Sequence, residues 1–100
     1  MSIKDKRIYI AGMVSALPYE VAYDNFAQAE MKMRAQGKTI NPMHLCGEHW
    51  GWFRCMLVCV WNLVWKCDRV YLLDNWNQSP GARIEVWFAV LTRKEIIVGN

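Results

Sequence analysis

Four short β-prone runs alternate with stretches of helical spacing, and this alternation constrains the chain more than any other feature. The runs are residues 7–11, 38–41, 70–73 and 95–98; residues 19–36, 50–66 and 80–92 between them read as helices. In 19–36, Ala22, Phe26, Ala29 and Met33 fall on one helical face, while Glu20, Asp24, Glu30, Lys32 and Arg34 take the other. Gly37 follows as a helix terminator. Pro42 stops the second strand, and 43–48 reads as a loop. Strands alternating with helices imply a parallel sheet joined by right-handed crossovers. Four strands in a doubly wound arrangement take the order 2-1-3-4. The expected fold is α/β, a small doubly wound three-layer parallel sheet, with residues 1–100 forming one domain.

That strand order fixes where a ligand belongs. The chain reverses direction between strands one and three, and such sheets bind ligands outside the carboxyl ends of their strands at that point. The loops there are 12–18 and 74–79, which places Gly12, Ser15, Asp74, Ser79, Gly81 and Glu85 around one crevice. The stretch 70–85 is the most informative. A buried strand runs into a polar loop. Ser79 then stands at an N-cap position, with Pro80 at the first helical position, where a missing N–H costs nothing. Gly81 leaves neighbouring backbone amides uncovered, so the turn from Ser79 to Ala82 suits a phosphate or carboxylate. Glu85 shares a helix face with Ala82 and Ala89, so its carboxyl is expected to point inward. The alternative is a surface glutamate on an ordinary helix. Trp76, with Tyr9 or Met13, is placed to cover a flat ring. Asp74 and Glu85 supply two carboxylates, the usual equipment for cleaving a bond to a sugar's anomeric carbon. No GxGxxG or P-loop pattern occurs, which disfavours dinucleotide and triphosphate sites. No Ser–His–Asp set is visible.

Composition narrows the partners. The net charge of +3 comes from scattered basic residues and does not suggest a nucleic-acid polymer as ligand. No signal peptide is visible, so Cys46, Cys55, Cys59 and Cys67 are expected to be reduced thiols in a cytoplasmic protein. His44 and His49 lie near Cys46, but the spacing matches no zinc motif, and neither metal nor cofactor is expected. The helix over 50–66 is apolar around nearly its whole circumference. Its uninterrupted apolar stretch, 55–65, is far short of the ~20 residues a membrane span needs. A small domain covers only one side of such a helix, so its outer side, with some of the tryptophans of 50–65, is expected to meet another copy of the chain.

Several of these residues also carry a family resemblance. Ile8-Tyr-Ile-Ala-Gly12, Asn41-Pro42, Cys67-Asp68, Val70-Tyr-Leu-Leu73, Trp76 and Ser79-Pro-Gly-Ala-Arg-Ile-Glu85 resemble the DUF4406 family, which is similar to the nucleoside 2-deoxyribosyltransferases. The resemblance runs from about Arg7 to Gly99, and its most specific part is S-x-G-A-x-x-E with a Trp three residues before the Ser. It implies a flavodoxin-like fold, an oligomer, and a nucleoside or nucleotide substrate. It implies that Glu85 attacks C1′, that Asp74 helps to place and protonate the base, and that the Gly12 loop and Ser79–Gly81 hold the sugar or a 5′-phosphate. Asp68 also resembles an acidic family position; capping, or pairing with Arg69 or Lys66, is its expected structural role. Two departures stand out. Met13 replaces a proline common in relatives, and Val60 and Trp61 replace charged residues of the central helix. The functional alternatives are a non-catalytic module that binds or senses a nucleotide derivative, and an interaction protein acting through its tryptophan-rich helix.

Overall fold

The structure is a computed structural model that describes residues 7–13, 17–46 and 51–98, without the side chain of Trp52. Four strands, β1 (Arg7–Ala11), β2 (Lys38–Ile40), β3 (Arg69–Leu72) and β4 (Glu95–Val98), form one sheet in the order β2-β1-β3-β4. All three pairings are parallel, with Tyr9 opposite both Ile40 and Val70. The expected order and direction are therefore those found. The helices are α1 (Tyr19–Met33), α2 (Pro42–Leu45), α3 (Trp52–Lys66) and α4 (Pro80–Leu91).

Strand alternation divides the core into two layers. Ile8, Ile10 and Tyr71 point to one face, where Ala22, Phe26, Ala29 and Met33 of α1 cover them. Tyr9, Ala11, Val70 and Leu72 point to the other, against Cys59 and Leu63 of α3 and Ala89 of α4. The apolar stripe expected for the first helix is buried throughout. A 3₁₀ turn, Arg34–Gln36, replaces its last expected turn and ends at Gly37, whose φ of 154° favours glycine.

The structure corrects two expectations. The first is the loop over 43–48: its residues 43–45 belong to a helical turn, Pro42–Leu45, while 47 and 48 lie outside the described residues. Asn41 caps it by accepting from the Met43 amide at 2.9 Å, with Pro42 at the first helical position. The Asn-Pro pair thus does here what Ser79-Pro80 does for α4. The second is the fully reduced state of the cysteines. Cys46 and Cys55 form a disulfide, while Cys59 and Cys67 are free and buried. Cys46 follows α2 directly and Cys55 sits in the first turn of α3, which brings their Cα atoms to 5.7 Å. No described helix is long and apolar enough to cross a membrane.

Candidate active site

The carboxyl ends of β1 and β3 are tied together just where the switch point was expected. The Leu73 amide donates to the Ala11 carbonyl at 2.9 Å, extending the strand pairing by one residue. The Met13 amide then donates to Asn75 Oδ1 at 3.1 Å, joining the two loops. Gly12 lies between these bonds with no room for a side chain: a Cβ there would meet Leu73 at less than 3 Å. Its glycine identity follows from the close approach of the two strand ends.

Beyond β3, a 3₁₀ turn, Trp76–Gln78, leads into α4. Trp76 is half-buried and packs on the core layer shared by α3 and α4. Ser79 is the N-cap: its Oγ accepts from the Ala82 amide at 3.3 Å and its carbonyl from the Arg83 amide at 3.0 Å. Its own amide donates to the Trp76 carbonyl at 3.2 Å. Pro80 has no N–H. Of the amides from Ser79 to Ala82, this leaves Gly81 for a ligand. The turn therefore offers fewer free donors than the sequence suggests.

Glu85 lies on the inner face of α4, level with buried Ala82 and Ala89, and is only 5% exposed. The alternative of a solvated surface glutamate does not hold. Tyr9, on the central strand and fully buried, donates its hydroxyl to Glu85 Oε2 at 2.6 Å. Burial pushes the Glu85 carboxyl from its ordinary value up to about 8, against the opposing pull of the Tyr9 hydrogen bond. The same burial, with the Glu85 charge beside it, holds the Tyr9 hydroxyl well above its usual range. The Cys59 thiol on α3 is pushed up to about 12 by burial and by Glu85. The site is thus a desolvated acid whose anion is more basic than a carboxylate in water, gripped by one short phenolic hydrogen bond.

The expected site residues fall into three groups. Met13, Gly12, Ser79, Gly81, Ala82 and Glu85 are buried along the ends of β1 and the start of α4. Asp74 is exposed and lines a cavity of about 330 Å³ with Asn75, Tyr71, Lys32 and Gln28, on the α1 side of the sheet. Glu85 is not among the described residues around that cavity. Ser15 and the neighbouring residues of its loop lie outside the described residues. Asp68 is paired with Arg69, its carboxylate 3.8 Å from Nε, as its structural reading expects. Sequence reasoning placed Tyr9 near a ring but missed it as the partner of Glu85. The signal was present, because Ile8-Tyr9-Ile10 sends Tyr9 to the face opposite α1.

Comparison with solved structures agrees with the fold. A solved 2-desoxiribosyltransferase from Leishmania mexicana has the same fold, with a TM-score of 0.65 at 19% identity. The match covers 93% of this chain and 63% of that one. No protein of curated function matches the chain by sequence. Residues 6–98 match the model of the Domain of unknown function DUF4406, and the chain belongs to that family.

Proposed function

We propose that the chain is an N-glycosidase or 2-deoxyribosyltransferase that acts on a nucleoside or nucleotide, with Glu85 as nucleophile. The observation that carries this reading is the buried Glu85 carboxyl, held by Tyr9 on the second turn of a capped helix. Attack by Glu85 on C1′ forms a glycosyl ester as the C1′–N bond breaks. The base departs with the electron pair and takes a proton from water. Water, or a second base, then attacks C1′ and frees the carboxylate. Tyr9 fixes the attacking oxygen, and the amino end of α4 with the Gly81 amide faces the sugar or its 5′-phosphate. The shared fold of the Leishmania mexicana 2-desoxiribosyltransferase supports the reading.

The test is incubation with a panel of 2′-deoxynucleosides and their 5′-monophosphates, with free base as readout. Glu85→Gln is expected to lower release at least about a thousandfold. Release that persists unchanged in that variant removes Glu85 as nucleophile. A thermal shift with a nucleotide but no release from any substrate establishes a binding module instead.

The protein is further proposed to act as a homo-oligomer. Phe53, Leu57, Trp61 and Trp65 recur every four residues along α3 and are all exposed, Trp61 at 60% and Trp65 at 69%. Trp87, Val90 and Leu91 of α4 add to the exposed apolar surface. α3 and α4 pack on the same layer of the core. Large rings exposed together in this way are characteristic of subunit contacts.

A further inference from the structure

The sulfurs of Cys46, Cys55 and Cys59 meet at one place, although their sequence spacing matches no zinc pattern. Cys55 and Cys59 stand one turn apart on α3 and so share a face. Cys46 follows α2, its amide held by the Pro42 carbonyl at 3.2 Å, and turns onto that face. Cys59 Sγ is 3.8 Å from Cys46 Sγ and 3.8 Å from Cys55 Sγ. All three ligand atoms lie within 4.8 Å of one another.

Those distances are informative. Thiolates at about 2.3 Å from a tetrahedral zinc ion stand roughly 3.8 Å from each other. Two edges of the sulfur triangle already have that length, and the third is closed by the Cys46–Cys55 bond. The arrangement is a poor one for thiol–disulfide exchange. Exchange requires attack along the S–S axis, whereas Cys59 is equidistant from both sulfurs and so lies broadside to it. Cys59 is buried, while Cys46 and Cys55 are half-buried.

We propose that reduced Cys46, Cys55 and Cys59 form a binding site for one thiophilic cation of the zinc class, the fourth coordination position being open to an exogenous ligand. Reduction comes first. A phosphine takes the oxygen of one water to become its oxide, and the two hydrogens end on the sulfurs of Cys46 and Cys55. Binding of a divalent cation then displaces three protons, one from each thiol. Softness of the ligands selects zinc or cobalt over magnesium or calcium. This site does not depend on the glycosyl-transfer reading, and its test is independent of turnover.

The experiment is an anaerobic titration of the whole, phosphine-reduced chain with cobalt(II), followed by zinc(II). One equivalent of cobalt is expected to produce a thiolate-to-metal charge-transfer band and the intense visible bands of a tetrahedral site, both bleached by zinc. Cys59→Ser is expected to weaken binding about a hundredfold or more. Cys46→Ser, half-buried and less demanding on the core, is expected to do the same, while Cys67→Ser retains the wild-type spectrum. Absence of cobalt and zinc binding by the reduced chain overturns the proposal. So does binding that survives unchanged in both Cys59→Ser and Cys46→Ser.

Discussion

A carboxyl group raised to about 8 inside a folded chain makes stability depend on pH in a defined direction. Glu85 binds its proton more tightly when folded than when unfolded, where its ordinary value is 4.5. Its favourable contribution is complete below about 4.5 and is lost as the pH rises through about 8, a change on the order of 5 kcal/mol. Glu85→Gln keeps an acceptor for Tyr9 but carries no charge. The variant is expected to melt higher than the parent at pH 8.5 by about 10 °C or more, with the gap closing toward pH 5. Scanning calorimetry at the two pH values checks it, and equal gaps would place the carboxyl in solvent. Base release by the parent should rise with pH through the same region, since the ionised form attacks. Tyr9→Phe removes the bond that lowers the Glu85 value, so the midpoint of that pH–rate profile should move upward. Loss of the bond should also destabilise the fold by about 1–3 kcal/mol. An unmoved midpoint in Tyr9→Phe would mean that the hydroxyl does not control the acid.

At the scale of the element, α4 is held at both ends by different means. Its start has Ser79 and Pro80, which are legible in the sequence because the cap and the first-turn proline are local chemistry. Its end is a Schellman turn: the Lys94 amide donates to the Ala89 carbonyl at 2.9 Å and the Arg93 amide to the Val90 carbonyl at 3.1 Å. The residue at the turn is Arg93, with φ of 60°, where glycine is the usual occupant. No glycine marks the position, so sequence reading ran the helix on to Thr92. Arg93→Gly is expected to raise stability by about 1 kcal/mol, read from the denaturation midpoint at constant slope. The same contrast runs through the site. Glu85 could be placed inward from Ala82 and Ala89, since helix periodicity is local. Its bond to Tyr9 spans 76 residues and appears only when β1 lies beneath α4. The meeting of Cys46 with Cys55 and Cys59 was equally invisible, because it depends on how α2 packs against α3.

For the whole molecule, strand order was legible because alternation and handedness leave few arrangements for four strands, and the observed order is the simplest of them. The outer tryptophan surface of α3 is the proposed subunit contact. Trp61→Arg is expected to shift the protein to a smaller species in sedimentation velocity. Equal sedimentation of parent and variant would rule out the α3 surface as the subunit contact. That surface also carries its own optical marker. Trp61 and Trp65 stand with ring centroids 5.8 Å apart and planes inclined at 51°. Two indoles so close and so tilted are expected to share their electronic excitations and to give the pair a bisignate circular-dichroism couplet that neither ring has alone.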